Sequence, residues 1–130
     1  MEIRDMETQN TDKKKILIIQ GGGRPHGNTA RLVQRFAEGA EAAGHHTEII
    51  SLMKQEVKGG LGCNACRYGK PCIQKDSFNE LVPKIKAADL IAFASPLYLW
   101  TISSRLKAII ERFYCIAEED PAPPKGRYER

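Results

Sequence analysis

Ile16-Leu17-Ile18-Ile19 leads through Gln20 into Gly21-Gly22-Gly23-Arg24-Pro25-His26-Gly27-Asn28-Thr29, and this stretch decides the fold. An apolar run ends in a glycine-rich turn, and an amphipathic helical period follows. Strand, glycine turn and helix together make an ordinary anion seat. Glycines let the backbone turn tightly and approach a ligand closely. The unpaired N–H groups of the helix's first turn, with the helix dipole, favour a phosphate. Asn28 or Thr29 acting as a plain helix cap is the competing reading. It needs no ligand, but it leaves three consecutive glycines unexplained.

Outward from this turn, the first strand is predicted over 14–20, apolar on both faces as expected between two helical layers. Over 29–43, Leu32, Val33, Phe36, Ala37, Ala40 and Ala43 keep a helical period, and Gly44 supplies a stop. A second strand is predicted over 47–52. Strand, helix, strand favours a right-handed crossover and parallel pairing. Residues 53–77 hold Gly59, Gly60, Gly62, Gly69, Pro71 and three cysteines. They read as a long functional loop, with a short helix around 64–68. The helical period returns over 78–88, started by Asp76 or Ser77 and interrupted by an awkward Pro83. A third strand over 90–94 runs into Ser95-Pro96-Leu97-Tyr98-Leu99-Trp100. Ser103 or Ser104 caps the last helix, with a buried stripe expected at Leu106, Ile109, Ile110 and Phe113. The fold class is α/β. Three strands are few for such a sandwich, so another subunit or further strands are expected to complete the sheet.

At 130 residues, with 42% hydrophobic content, the chain is one small domain or most of one. We place a loose arm at 1–12, the domain at 13–117 and a proline-rich tail or linker at 118–130. The formal charge of +4 comes from 20 basic against 16 acidic residues. The basic residues form no aromatic-interleaved stripe or reading helix, so nucleic acid is not an expected partner. No apolar run approaches the roughly 20 residues that span a bilayer. The N-terminus is polar and charged, unlike a secretory signal, and a cytoplasmic setting is expected. There, four cysteines read as buried, metal-binding or redox groups before structural disulfides.

In an open parallel sheet, the turn after strand one and the loop after strand three lie at the same edge. A ligand held by both places its phosphate at residues 24–29 and its flat part near residues 96–100. Tyr98 and Trp100 are candidates to stack on a ring or to anchor an interface. The turn is not the dinucleotide fingerprint, since His26 stands where a third glycine is needed. It also lacks the Lys-Ser/Thr ending of a nucleotide-triphosphate loop.

The ordered set 21–29, Gly62-Cys63-Asn64-Ala65-Cys66, Cys72-Ile73-Gln74-Lys75-Asp76, Ser95-Pro96-Leu97-Tyr98 and 103–112 resembles the NADPH-dependent FMN reductase and iron–sulfur flavoprotein group. That group lies within the flavodoxin-like superfamily. The resemblance implies a three-layer sandwich with a parallel sheet, FMN held non-covalently and NAD(P)H as co-substrate. It implies phosphate contacts from Arg24, Gly27, Asn28 and Thr29, and flavin contacts from Pro96, Leu97, Tyr98 and Leu99; Gly22 and Trp100 are cofactor-site candidates by their place in the same two loops. It also implies a homo-oligomer, a dimer or tetramer, with the flavin near a subunit boundary. Two departures stand out. Gly22 and Gly23 replace a serine and a proline common in the group. The group also has two more strands, with a third flavin loop between them.

Cys63, Cys66 and Cys72 are spaced C-x2-C-x5-C, whereas the cluster-binding branch resembles C-x2-C-x2-C followed by a fourth cysteine. Gly69 stands at the third ligand position, and Cys115 is remote along the chain. An iron–sulfur cluster and zinc are therefore weaker readings than a remnant or redox-active thiol loop. Glu111, Arg112 and Lys107 are expected to face solvent or a partner. The expected function is an FMN-dependent oxidoreductase. It would pass hydride from NAD(P)H to flavin, then electrons to a quinone, flavin, nitro or azo compound, or protein. An iron–sulfur electron carrier and a non-catalytic binding or assembly module are the alternatives.

Overall fold

The computed structural model describes residues 13–67 and 70–117, so the expected arm at 1–12 and tail at 118–130 lie outside the described residues. β1 (Lys15–Gln20) is the central strand of a parallel sheet. It lies between β2 (His46–Ser51) and β3 (Leu90–Ala94), in the order β2-β1-β3. Register sets Ile18 opposite Ile49 on one side and Ala92 on the other.

Alternation along β1 divides the core between the two faces of the sheet. Ile16 and Ile18 meet Val33 and Ala37 of helix α1 (Asn28–Ala42). Leu17 and Ile19 meet Phe78, Leu81 and Ile85 of α2 (Phe78–Ala87), and Leu106 and Ile109 of α3 (Ser104–Arg112). Helix, sheet and helices make three layers, the α/β arrangement of the flavodoxin-like fold.

The helix ends follow their local chemistry. Gly44 takes a φ of +93° after α1. The His45 N–H then reaches the Ala40 carbonyl at 3.0 Å, and the Gly44 N–H reaches Glu41 at 2.9 Å. That is a Schellman closure, built where the glycine stop was expected. The Ser103 hydroxyl accepts from the Leu106 N–H at 3.3 Å and caps α3. α2 runs through Pro83 to Ala87. Pro83 and Asn79 are both exposed, so the bond that Pro83 cannot make is lost on the exposed side of the helix.

Two expectations need correction. Leu32 and Phe36 belong to the expected apolar stripe of α1 but are 72% and 47% exposed. α1 packs over β1 through Val33 and Ala37, and no described helix lies beside it on that face. Of the short helix expected around 64–68, Arg67 has a 3-10 helical backbone. Near Asn64 the chain makes a turn, with φ +56° and an Arg67 N–H bond to the Asn64 carbonyl at 3.1 Å; residue 68 of the expected helix lies outside the described residues. Finally, Arg112 does not face solvent. It is 3% exposed and paired with Asp76.

That pair fastens the long loop. The Arg112 Nη1 reaches Asp76 Oδ2 at 2.6 Å and the Lys58 carbonyl at 3.0 Å. Its Nη2 reaches Asp76 Oδ1 and the Cys72 sulfur, both at 3.1 Å. The guanidinium also stacks 4.8 Å from the centroid of the Phe78 ring. The Asp76 carboxylate further accepts from the Lys58 and Phe78 N–H groups, so it starts α2 as expected. The Ser77 hydroxyl turns instead to the Glu56 N–H at 3.1 Å. Exposed Glu111 follows its expectation only in part, because it accepts from the Gly60 N–H at 2.8 Å and pairs with exposed Lys107.

Candidate functional site

The glycine turn and the loop after β3 meet at the carboxyl edge of the sheet, as parallel strands on either side of a crossover require. Three contacts fix their spacing. The Gly21 N–H donates to the Ala94 carbonyl at 2.8 Å. The Ser103 N–H donates to the Ser95 hydroxyl at 2.8 Å, and that hydroxyl donates to the Pro96 carbonyl at 2.8 Å. At Gly21 an added Cβ would lie 2.6 Å from Ser103 Oγ, so only glycine lets β1 and α3 approach this closely.

Between the two loops lies an open cavity of about 750 Å³. Gly22, Arg24, Gly27, Asn28 and Thr29 line one side, and Pro96 and Tyr98 the other. Leu97, Leu99 and Trp100 are not on its lining and face outward. Gly23, Pro25 and His26 of the same turn also line it, as does Arg31, which was not singled out in the sequence. Arg31 had a readable signal. It stands four residues after Gly27, one helical turn along the face that ends at the seat.

The competing cap reading fails here. α1 begins at Asn28 with Gly27 in the capping position, and no described side chain caps it. Its first turn carries no acidic residue. The N-terminal N–H groups and the positive end of the dipole therefore open onto a cavity that also holds Arg24 and Arg31. This arrangement suits a phosphate monoester next to a flat, partly apolar group.

Residues 14–127 match the NADPH-dependent FMN reductase family. The chain belongs to this family. Among its relatives, an iron–sulfur flavoprotein of Methanocaldococcus jannaschii is 37% identical over 98 residues, covering 75% of this chain and 51% of that one. One of Archaeoglobus fulgidus is 36% identical, covering 75% and 48%. A Bacillus subtilis protein named as an NAD(P)H-dependent FMN-containing oxidoreductase is 29% identical, covering 76% and 51%. The chain thus spans about half the length of these relatives. Two solved structures share the fold. RosB, with bound 8-demethyl-8-formylriboflavin-5'-phosphate, superposes with a TM-score of 0.63 at 23% identity, over 78% of this chain and 42% of that one. A flavone reductase superposes at 0.58 and 25% identity, over 76% and 29%.

The donor set of the cavity suits FMN chemically: a glycine-lined seat, an uncapped helix start and two arginines. An iron–sulfur cluster fits this chain less well. Among the described residues, no three or more His, Cys, Asp or Glu side chains are grouped to hold a metal. Cys63 is exposed, while Cys66, Cys72 and Cys115 are half-buried and free. Cys72 already accepts a hydrogen bond from Arg112. Cys115, remote in sequence, is nevertheless near Cys72 and Cys66. Burial pushes its thiol up, and the neighbouring Cys72 and Cys66 add to the effect.

Proposed function

We propose that the chain binds FMN in this cavity and serves electron transfer from NAD(P)H to an acceptor. The observation that carries the reading is the uncapped N-terminus of α1, which opens with Arg24 onto the cavity that Pro96 and Tyr98 close. Bound there, FMN would supply reversible two-electron chemistry between a reduced nicotinamide and a quinone, flavin, nitro or azo compound, or protein. The chain's own residues bind and orient. The N–H groups of α1, with Arg24, take the phosphate. Asn28 and Thr29, free of capping duty, add side-chain donors. Pro96 and Tyr98 border the ring, held in place by the Ser95–Ser103 bond. No described side chain is needed as an acid or base.

Leu97, Leu99 and Trp100 stand exposed beside the cavity mouth. A second copy of the chain covering them would join the site to a subunit boundary, which makes a homo-oligomer part of the proposal.

Titration of FMN with the protein, followed by flavin fluorescence, tests the reading. We expect saturable binding and bleaching of the bound flavin by NADPH. Arg24→Ala should weaken binding by about tenfold or more, the loss of one charged hydrogen bond. A titration without saturation would end the proposal, whereas saturable binding without bleaching would leave a binding module.

A further inference from the structure

We infer that Cys72 is a thiol-oxidation site whose oxygenated sulfur is held by the guanidinium of Arg112, with a hydroperoxide as oxidant. The inference does not depend on flavin binding. It follows from counting the N–H groups of Arg112, which has five in a rigid plane. Nη1 gives one to Asp76 and one to the Lys58 carbonyl. Nη2 gives one to Asp76 and one to the Cys72 sulfur at 3.1 Å. Nε is buried and has no partner among the described residues.

The plane of the group decides where that fifth donor points. Asp76 takes Nη1 and Nη2 end-on, as a bidentate carboxylate does. The remaining Nη2–H, which Cys72 holds, then lies on the same side of the guanidinium as Nε–H. A bare sulfur fills half of this two-donor edge. A sulfur bearing one oxygen fills both halves, with sulfur on Nη2 and oxygen on Nε. The orphaned donor costs stability, because an unmade hydrogen bond in a residue only 3% exposed is not recovered from solvent. Oxidation of Cys72 supplies the missing acceptor.

The step balances. The Cys72 sulfur attacks the outer oxygen of the hydroperoxide, a sulfur–oxygen bond forms and the oxygen–oxygen bond breaks. The thiol proton leaves with the other oxygen as water or alcohol. Sulfur is oxidised by two electrons and the peroxide is reduced by two. A neighbouring thiol can then condense with the sulfenic acid, forming a disulfide and releasing water.

Reduced full-length chain, treated with hydrogen peroxide in the presence of dimedone, gives the test. Peptide mass spectrometry reads the initial rate at each cysteine, counting adducts and disulfides together because both descend from the sulfenic acid. Exposure alone puts Cys63 first, as it is the exposed cysteine of the four. The inference puts Cys72 ahead by about tenfold. Arg112→Lys keeps the charge and removes the two-donor edge, so the lead of Cys72 should fall to parity with Cys63 while the Cys63 rate stays unchanged. Faster oxidation of Cys63 in the unmodified chain, no product at Cys72, or an undiminished lead in R112K overturns the inference. If R112K does not fold, the ratio in the unmodified chain decides alone.

Discussion

Gly21 and Gly22 are neighbours in the sequence with different reasons to be glycine. Gly21 has no room for a side chain, since an added Cβ would also meet Leu106 Cβ at 2.9 Å. Gly22 has room. Its added Cβ would lie 3.4 Å from Thr29 Cβ and 3.7 Å from Gln20 Nε2 and Pro96 Cδ. Neither has a left-handed backbone; among the described glycines that conformation belongs to Gly44 and Gly62. From the sequence, turn geometry and ligand approach explain the glycine run, but the reason at Gly21 is space. Because Gly22 is tolerant, Gly22→Ser should place a hydroxyl at the seat and tighten FMN binding by about tenfold, the worth of one hydrogen bond to a charged group. Fluorescence titration of both proteins checks this, and equal or weaker binding by the variant would show that the phosphate lies elsewhere.

At the scale of elements, the least readable piece is the turn at 98–101. The Tyr98 N–H reaches the Thr101 carbonyl at 2.9 Å, and the Thr101 N–H reaches the Tyr98 carbonyl at 3.1 Å. Between them Leu99 and Trp100 take φ values of +46° and +66°. Two positive φ angles inside a two-residue loop make a type I′ turn, whose usual sequence is Asn-Gly. Leu-Trp carries no such signal, so periodicity and turn chemistry both miss it. Leu99 and Trp100 are 95% and 90% exposed, so no packing seen in the single chain repays the strain. The strain suits a turn kept for contact with a partner. Replacing both residues, Leu99→Asn with Trp100→Gly, should raise folding stability by about 1 kcal/mol, or about 4 °C in Tm. The same change should lower any self-association. Thermal unfolding and sedimentation of the two proteins check both parts. An unchanged or lowered Tm would show that the turn is not strained.

Across the whole molecule, the sheet was legible because β1 is apolar at consecutive positions and its neighbours are spaced by a crossover helix. The placement of Arg112 was not. Its partner Asp76 is 36 positions away, and a charge at the end of an amphipathic helix ordinarily faces water. Its spacing was the available signal, since Arg112 lies three residues beyond buried Ile109 and six beyond Leu106, on the inward face of α3. A cation there demands a buried anion. The resulting pair connects the loop after β2, the start of α2 and the end of α3, so its titration should be felt by the whole fold. Burial works to raise the Asp76 carboxyl, but bonds from Arg112, then from the Lys58 and Phe78 N–H groups, outweigh it and hold the group below its ordinary value. A carboxyl depressed in the folded state contributes stability that is present above its unfolded value of about 3.9 and lost as pH falls through the folded one. Asp76→Asn should therefore destabilise the chain at pH 7 by about 3 kcal/mol, the usual cost of leaving a buried partner charge alone. The gap between the two proteins should narrow below roughly pH 4, where the native carboxylate is itself being protonated. Urea unfolding at neutral and acid pH measures that gap, and a constant separation would mean that the Asp76–Arg112 charge pair is not what titrates.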